Sequence, residues 1–336
     1  MKKIRLGVIC PAEIAYRRFM PALKTTDTFE FVGVGHVGES EVEGDSALRD
    51  KVVSDAKAKA RQFTETYGGK VFSSYRDVVS SDEVDAVYIP LPPALHFKWA
   101  KVALNNKKHV FLEKPFTTTL SDTEELIEIA SARGLALHEN YMFRFHKQIA
   151  EIVDIVDRGD IGSVRLYRIA FGFPKRAEND FRYNKQLGGG ALLDCGGYTL
   201  KLANMLLGGN AEVKTSQLNI PEGYSVDLYG NATLANKDGT VAQVAFGMDN
   251  SYKCELEVWG SKGVIRANRI LTAPAGFVPQ AEVTIGNEQK IIELSADDSF
   301  KKSIECFYTC IADDSRRTEN YSDIEKQAKL LEAVRR

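Results

Sequence analysis

The sequence predicts an α/β protein in two parts: an N-terminal, doubly wound parallel sheet, then an α+β domain with a large, open, mainly antiparallel sheet. In the first part, uniformly apolar runs alternate with helical patterns, as in buried parallel strands joined by helices. From about residue 160 the strand patterns lengthen and alternate polar with apolar residues, which is typical of antiparallel strands with one covered face. We place the two domains at residues 1–120 and 121–336.

Five apolar runs predict the parallel strands, and helical patterns lie between them. This alternation implies right-handed crossovers. The acidic and polar segment 38–50 is predicted to be a mobile insertion. The predicted strands are IRLGVI, FEFVGVG, DAVYIPL, HVFLEK and LALHENY, and the predicted helices are IAYRRFMPALK, SDAKAKARQFTETYG, HFKWAKVALNN and DTEELIEIASARG.

The second domain is predicted to hold long strands, one internal helix and two closing helices. The internal helix covers about 190–207, and ANKDGT forms a turn between two strands. The predicted strands are SVRLYRIAFGF, AEVKTSQLNI, SVDLYGNATLA, TVAQVAFGM, KCELEVWG and GVIRANRI, and the closing helices are SFKKSIECFYTCIAD and YSDIEKQAKLLEAVRR.

The composition is that of a soluble globular protein and excludes several classes of partner. A net charge of −2 gives no electrostatic argument for nucleic acid or an anionic membrane, and no apolar run is long enough to span a bilayer. Five scattered cysteines favour free thiols in a reducing cytoplasm. Cys306 and Cys310 share a helical face, but no nearby histidine completes a zinc set, so we predict no metal site.

The stretch GVICPAEIAYRRF, residues 7–19, turns from a strand directly into a helix. In dinucleotide-binding proteins this turn carries glycines that let a pyrophosphate approach the backbone. Here Cys10 and Ala12 occupy those positions. The helix N-terminus still offers backbone N–H groups and a positive dipole end. By itself, the stretch fits an ordinary strand–helix turn as well as a cofactor site.

Two further stretches carry chemistry. Glu113-Lys114-Pro115 ends a buried strand at the carboxyl edge of the parallel sheet, where ligands bind in open α/β folds. In GGGALLDCGGYTL, residues 188–200, Asp194 and Tyr198 are spaced i, i+4 and therefore share one helix face. A carboxylate and a phenol on one face suit a polyol, although Tyr198 would also serve as a half-buried core residue.

Together, the three stretches resemble the Gfo/Idh/MocA family, the glucose–fructose oxidoreductase and inositol dehydrogenase group. The family's strand-end motif corresponds to Glu113-Lys114-Pro115, and its glycine-rich motif corresponds to residues 188–198. The resemblance continues through VYIPLPPALH, ENYMFRFHKQ, NDFRYNKQLGGG and EVWGSKG, and so covers nearly the whole chain. The segments AEIAYRR, PLPPALH and YMFRFH, together with tyrosine at 198, are similar to the sugar-ketoreductase branch.

The resemblance implies a Rossmann domain and hydride transfer between a nicotinamide and a carbinol or ketone carbon of a sugar, with reduction of a nucleotide-linked ketosugar as one option. It implies Tyr198 as acid/base and Lys114 as its electrostatic partner, although the reverse assignment stays open. Asp194, Arg182 and Arg144 are the implied substrate-binding residues. The expected cofactor-binding residues are Cys10, Ala12, Glu13, Ile14, His36, Pro92, His96, Glu113 and Lys114.

The residues after the second strand, Gly35-His36-Val37, include no acid for a ribose 2′-hydroxyl, which favours NADP slightly over NAD, with His36 near the 2′-phosphate. Glu39 and Glu41 follow closely, so NAD stays open. The alternatives to a sugar oxidoreductase are a dihydrodiol or polyol dehydrogenase and a non-catalytic NAD(P)-binding sensor. The family resemblance also implies a homodimer or homotetramer joined through the C-terminal sheet.

Overall fold

The structure, a computed structural model, describes residues 3–42 and 45–336. The chain forms two compact units, and each unit takes residues from several parts of the sequence. The first contains the residues up to Thr117 together with Ser121–Asn140 and Ser303–Ile324. The second contains Thr118–Leu120, Tyr141–Lys302 and Glu325–Arg336. The division into domains at residues 1–120 and 121–336 therefore stays a prediction.

The first unit holds a six-stranded sheet in the order β3-β2-β1-β4-β5-β6, with every neighbouring pair parallel. This order reverses at β1 and β4, as expected for the predicted doubly wound sheet. The strands are β1 (Ile4–Val8), β2 (Phe29–Gly35), β3 (Lys70–Phe72), β4 (Ala86–Ile89), β5 (His109–Leu112) and β6 (Leu137–Glu139). The helices are α1 (Met20–Leu23), α2 (Ser46–Tyr67), α3 (Tyr75–Ser80), α4 (His96–Asn105) and α5 (Leu120–Arg133).

Aromatic rings fill the core on one side of this sheet. Phe19 stacks on Tyr88 with ring centroids 3.8 Å apart, and Phe111 packs edge-on against both rings. Phe307, from the C-terminal part of the chain, packs edge-on against Phe111 at 5.4 Å. Each fully buried side chain of this size contributes roughly 1.5–3 kcal/mol to stability. Residues near the C-terminus therefore complete the core of the first unit.

Segment 38–50, predicted to be a mobile insertion, is partly regular structure. Glu39–Glu41 form a 3₁₀ turn, and α2 begins at Ser46 instead of residue 54. The side chain of Asp45 accepts a hydrogen bond from the Leu48 N–H at 2.8 Å and so caps α2. Residues 43–44 lie outside the described part. The short strand β3 and helix α3 were not predicted.

The second unit holds an eight-stranded sheet in the order β14-β13-β12-β11-β7-β10-β9-β8. Only the pair β7–β10 is parallel among these described strands, which confirms a mainly antiparallel sheet. The hairpin of β13 and β14, whose turn contains Gly286 at φ 58°, was not predicted. The strands are β7 (Val164–Gly172), β8 (Glu212–Asn219), β9 (Tyr229–Ala235), β10 (Val241–Gly247), β11 (Lys253–Gly260), β12 (Gly263–Asn268), β13 (Gln280–Ile285) and β14 (Glu288–Glu293).

Helices α6 (Lys147–Asp157) and α7 (Gly197–Leu206) contribute buried residues to the core of the second unit. Helices α8 (Ser299–Ala312) and α9 (Asp314–Arg335) close the chain, and α9 starts seven residues before the predicted helix at 321. Both of these helices supply residues to the first and to the second unit. None of the helices in the described ranges has the length and apolarity needed to cross a bilayer.

One face of the eight-stranded sheet, called the open face below, carries exposed side chains. Tyr229, Trp259 and Ile291 are 45%, 47% and 60% exposed. Charges pair across neighbouring strands: Glu257 on β11 contacts Arg168 on β7 at 3.3 Å and Arg266 on β12 at 3.0 Å. A groove of about 710 Å³ runs along this face. It is the uncovered face that the strand alternation predicts.

Candidate active site

The turn after β1 forms without glycine and without left-handed backbone. Among the described non-glycine residues, positive φ occurs at Lys107 and Arg269, not in this turn. The Cys10 thiol lies 3.6 Å from the Pro90 carbonyl oxygen, and burial raises its pKa to about 12, so it stays a neutral thiol. The Ala12 N–H donates to the Cys10 carbonyl at 2.9 Å. Cys10 therefore contributes packing and shape to this turn. Because the turn needs no left-handed backbone, the side chains of Cys10 and Ala12 reduce the space open to a phosphate but do not strain the backbone.

The helix that follows this turn contains a π-helical segment, Ala15–Phe19. Such segments occur often at functional sites. Here the segment ends at Phe19, whose ring stacks on that of Tyr88. Glu13, predicted to bind cofactor, is exposed and pairs with Arg17 at 3.4 Å on the helix surface. Ile14 is half-buried in the first helical turn.

The end of β2 shows which acids are available near a bound ribose. The Glu41 carboxylate accepts backbone N–H groups from Gly38 at 2.8 Å, Tyr75 at 3.1 Å and Arg76 at 3.0 Å. Glu41 thus caps α3, and its oxygens are already used. His36 is buried, and its Nδ1 lies 2.8 Å from the Val37 carbonyl oxygen. Of the two acids that left NAD open, only Glu39 is not engaged in this cap.

The strand-end motif after β5 rests on a buried carboxylate. Glu113 accepts hydrogen bonds from the Tyr88 hydroxyl at 2.6 Å and from the Asn140 amide at 2.7 Å. Burial raises the pKa of Glu113, although both hydrogen bonds act against that rise. Lys114 follows, half-buried, and its peptide bond to Pro115 is cis. The network fixes the backbone from which the Lys114 side chain extends.

His96 lies beneath this motif. It is fully buried, with Nδ1 2.9 Å from the Pro115 carbonyl oxygen and Nε2 2.7 Å from the Leu91 carbonyl oxygen. Burial lowers its pKa. Pro92 is half-buried and starts the 3₁₀ turn before α4. His96 therefore joins the loop after β4 to the loop that carries Lys114, and this contact suits a positioning role.

In the second unit, the glycine-rich motif starts the helix that carries Asp194 and Tyr198. Gly190 has φ 120°, and a side chain there would meet Asp227 at 2.4 Å. Asp227 accepts the Leu192 N–H at 2.6 Å and so caps the helix, and burial raises its pKa. A second π-helical segment, Leu192–Gly196, follows and contains Asp194. Sequence reasoning missed Asp227 because it lies 35 residues away along the chain.

Asp194 and Arg182, two predicted substrate-binding residues, contact each other. Arg182 Nε lies 2.7 Å from Asp194 Oδ2, and Arg182 Nη1 lies 3.1 Å from Asp180 Oδ1. All three side chains are at least four-fifths buried. The third predicted substrate-binding residue, Arg144, places its guanidinium 4.9 Å from the centre of the Phe145 ring. The Arg182 pair orients the Asp194 carboxylate on the helix.

Tyr198 is 9% exposed and lies among aromatic rings. Its ring centre is 5.2 Å from Tyr141, 5.7 Å from Phe143 and 5.4 Å from Phe171. Its hydroxyl lies 4.0 Å from the Met142 sulfur. Tyr141, Phe143 and Phe171, called the aromatic support below, pack around the Tyr198 ring and fix its position. The predicted pairing of Tyr198 with Lys114 joins the two units and stays a prediction.

The comparisons with known proteins agree with these features. Residues 18–141 match the family model described as "Oxidoreductase family, NAD-binding Rossmann fold", and residues 149–266 match the GFO/IDH/MocA C-terminal domain. The chain belongs to the GFO/IDH/MocA oxidoreductase family. The predicted family and its Rossmann fold are therefore confirmed.

Several members of the GFO/IDH/MocA family resemble the whole chain. A dTDP-3,4-didehydro-2,6-dideoxy-α-D-glucose 3-reductase from Actinomadura kijaniata is 36% identical over 332 residues, which is 99% of this chain and 95% of the relative. An enzyme of the same name from Streptomyces violaceoruber is 36% identical over 346 residues, 100% of this chain and 95% of the relative. A crystal structure of a 3-ketoreductase from A. kijaniata with NADP and TDP-benzene has TM-score 0.91 at 36% identity and covers 99% of this chain and 97% of that chain.

This GFO/IDH/MocA member is an NAD(P)-dependent oxidoreductase that acts on a CH–OH or ketone group of a sugar or sugar derivative, as the sequence predicts. The first unit brings together Glu113, Lys114 and His96, and the second brings together Asp194 and Arg182 beside the aromatic support of Tyr198. Sequence reasoning missed Asp180, Asp227 and Tyr141, which position these groups from elsewhere in the chain.

Proposed function

We propose that this enzyme uses NADPH to reduce the 3-keto group of a deoxysugar linked to a nucleoside diphosphate. Four relatives that are 33–36% identical over nearly the whole chain carry the name of such a 3-reductase. One observation carries the proposal. In solved structures of the A. kijaniata 3-ketoreductase, one lysine and one tyrosine have each been replaced. Those two residues are separated by the same number of positions as Lys114 and Tyr198.

The residues of the first unit fit NADP. The first helical turn after Ala12 offers backbone N–H groups and a positive dipole end to a pyrophosphate. At the end of β2, Glu41 is engaged with the N-terminus of α3 and does not compete for a ribose hydroxyl. A ribose 2′-phosphate there would meet no carboxylate from Glu41, which favours NADP over NAD. NADPH, when bound, supplies the hydride.

The chain's own residues supply orientation and a proton. Reduction of a ketone leaves negative charge on the substrate oxygen, which a donor within hydrogen-bond reach must neutralise. Tyr198 donates its hydroxyl proton to that oxygen, since a phenol O–H is a hydrogen-bond and proton donor. The Lys114 ammonium stabilises the negative charge that develops. Asp194, oriented by its ion pair with Arg182, accepts a hydrogen bond from the sugar hydroxyl next to the reacting carbon.

The test follows NADPH absorbance at 340 nm with a panel of dTDP-linked ketosugars. We expect Lys114→Ala and Tyr198→Phe each to lower kcat by about 10²–10⁴-fold, as for loss of acid–base catalysis. The matched controls are Lys237→Ala on an exposed turn and Tyr252→Phe at a half-exposed ring, and both should retain wild-type rates. Wild-type kcat in both site variants, or NADPH binding without reduction of any nucleotide-linked ketosugar, would contradict the proposal.

We also infer that two copies of the enzyme associate through the open face of the eight-stranded sheet. Three large apolar side chains there, Tyr229, Trp259 and Ile291, lie among paired charges such as Arg168 and Glu257. An exposed apolar cluster with a polar surround is typical of a protein–protein interface. Light scattering after size exclusion should give a dimer or tetramer for the wild type and a smaller species for Trp259→Lys, with Lys237→Gln as control. A wild-type monomer would refute this inference.

The free thiols support a reducing, cytoplasmic location for the enzyme. All five cysteines are free, and four of them are buried. Buried free thiols are typical of proteins from reducing compartments, since oxidising compartments favour disulfides. Secretion of the enzyme with oxidised thiols from its natural host would contradict this location.

A further inference from the structure

Four buried polar side chains in the first unit form a row that ends beside Lys114. They come from three parts of the chain and are each at most 9% exposed. His138 Nε2 on β6 lies 2.8 Å from the Ser303 hydroxyl oxygen on α8. The Ser303 hydroxyl donates to Asn140 Oδ1 at 2.8 Å, and the Asn140 amide donates to Glu113 Oε1 at 2.7 Å. We call His138, Ser303, Asn140 and Glu113 the buried polar row.

The hydrogen bonds of the row all run in one direction. The Ser303 proton points to Asn140, so the Ser303 oxygen accepts from His138, whose proton therefore lies on Nε2. Because Asn140 Oδ1 accepts from Ser303, its amide nitrogen faces Glu113. The Tyr88 hydroxyl donates to the same Glu113 oxygen at 2.6 Å. Two donors on one oxygen suit an ionised carboxylate, which only accepts hydrogen bonds.

The row lies in an apolar part of the core, where polar groups contribute little to stability. The centre of the His138 ring is 4.5 Å from that of Phe111 and 6.0 Å from that of Phe307. Replacing two hydrogen-bonded partners in such a place by apolar groups of the same shape is nearly neutral for folding. A connected polar network, in contrast, restricts its members to one arrangement. The effect of the row is therefore expected on geometry and charge at its Glu113 end.

The backbone on both sides of Lys114 is held by buried carboxylates. Glu113 precedes Lys114 and is bound by the row. On the other side, the Phe116 N–H donates to Glu139 Oε1 at 2.9 Å. Lys114 lies between these two anchors, so a shift of either anchor would move the base of its side chain.

The charge of Glu113 depends on its hydrogen-bond donors. Burial raises the pKa of this carboxyl, whereas the hydrogen bonds from Tyr88 and Asn140 and the charge of Lys114 lower it. Removing a donor therefore favours the neutral acid and takes a negative charge away from Lys114. The other ionisable side chains next to the row or to the loop of Lys114 are His96, His138 and Glu139.

We propose that Asn140 and Ser303 are positioning residues for the ketone reduction, which keep Glu113 ionised and hold the loop of Lys114 in its working geometry. This assignment rests on the catalytic role proposed for Lys114. Asn140 acts directly on the carboxylate, and Ser303 acts one step further back by orienting the amide. A misplacement of about 1 Å in a reacting group can lower the rate by about 10²-fold, so a small relaxation of the row is measurable.

The first test is the pH dependence of kcat, followed by NADPH absorbance with a ketosugar that the wild type reduces. Asn140→Leu removes the donor, so the acid limb of the profile should move to higher pH by about one unit, with KM changed by less than about threefold. The isosteric Asn140→Asp should move it further, because two carboxylates then face each other. Ser303→Ala should move the limb by about half a unit, and Ser303→Thr, which keeps a hydroxyl, should restore it. Glu113→Gln should lack this limb, which assigns it to Glu113.

The second test measures the carboxyl itself and needs no substrate. Carbon-13 NMR of enzyme labelled at glutamate Cδ should show a higher pKa of Glu113 in Asn140→Leu and, to a smaller extent, in Ser303→Ala. The matched control is Asn320→Ala, which removes a buried hydrogen bond from α9 to the Leu137 carbonyl but none of the row. This control should lower the thermal unfolding midpoint and leave both the acid limb and the pKa of Glu113 at wild-type values.

The outcomes separate this assignment from the proposed function. If Lys114→Ala loses activity but Asn140→Leu and Ser303→Ala keep the wild-type acid limb and Glu113 pKa, the row is merely structural and the proposed function stands. A limb that moves equally in Asn320→Ala would also refute the positioning role, because general loosening would explain it. If Asn140→Leu fails to fold, Asn140→Asp and Ser303→Ala decide the question. If Lys114→Ala keeps the wild-type kcat, the catalytic role of Lys114 is wrong and the positioning role is wrong with it.

Discussion

Replacing Gly197 by alanine tests the aromatic support of Tyr198 most directly. A Cβ at position 197 would lie 2.0 Å from the Tyr141 hydroxyl oxygen and 3.0 Å from its Cζ. Tyr141 is fully buried and packs edge-on against Tyr198 at 5.2 Å, so its ring has no free space in which to turn. Its hydroxyl must move by about an ångström before the contact becomes tolerable.

The magnitude follows from two opposing terms. Overpacking of a well-packed core costs about 1–3 kcal/mol, and alanine in place of glycine in a helix interior returns about 1 kcal/mol. Gly197→Ala should therefore destabilise the folded state by at most about 2 kcal/mol. The effect on catalysis should be larger, because a shift of about 1 Å in a reacting group can lower kcat about 10²-fold.

The double variant Tyr141→Phe, Gly197→Ala supplies the control. Without the hydroxyl, the nearest ring atom to the new methyl group is Cζ at 3.0 Å, which needs only a small adjustment. In the Tyr141→Phe background, the alanine should therefore be neutral or stabilising, and kcat should recover towards that of Tyr141→Phe alone. Thermal unfolding midpoints and NADPH oxidation rates measure both effects. Strictly additive effects of the two substitutions would refute the steric argument.

Three further predictions concern the first unit. Burial lowers the pKa of His109 to about 4, and its Nδ1 accepts the Ala136 N–H at 2.9 Å. Between pH 6.5 and 4, His109 is therefore protonated in the unfolded chain and neutral in the folded chain. The free energy of unfolding should fall as the pH is lowered through this range, and urea titrations should show a shallower fall for His109→Asn. Glu41→Ala removes the carboxylate that caps α3 and should lower the free energy of unfolding by about 1 kcal/mol in urea titrations; an unchanged midpoint would contradict the cap. His96→Phe removes the contacts of the imidazole with the Pro115 and Leu91 carbonyl oxygens, so kcat should fall and NADPH binding should weaken. The dTDP affinity measured by calorimetry should stay unchanged, and weaker dTDP binding would indicate general misfolding instead.

Periodicity predicted the fold class because most strands of both sheets have the burial pattern of their type. The uniformly apolar AVYI of β4 is buried at every position, and KCELEVWG of β11 alternates as one covered face requires. The prediction missed the first turns of α2 because that half of the helix buries few side chains, so its sequence shows no apolar stripe. Only Ala60 and Phe63 of its 22 residues are fully buried, so its polar N-terminal turns resembled a loop.

The candidate site was only partly predictable, for a different reason. Lys114 and Tyr198 lie in motifs whose residues are adjacent along the chain, and a motif can be recognised locally. The groups that position the site come from distant segments: Asp227 caps the helix of Asp194, and Arg182 pairs with that carboxylate across a loop. Contacts of this kind depend on tertiary folding, and no periodicity records them.

The contribution of α8 and α9 to the first unit has a consequence for protein synthesis. Ser303 donates to the Asn140 side chain at 2.8 Å, Asn320 donates to the Leu137 carbonyl at 2.6 Å, and Phe307 covers Phe111. The ribosome makes these residues after all six strands of the first unit. The N-terminal half of a nascent chain must therefore wait with part of its apolar interior uncovered, and a gene cut at the middle would leave that interior permanently exposed to aggregation.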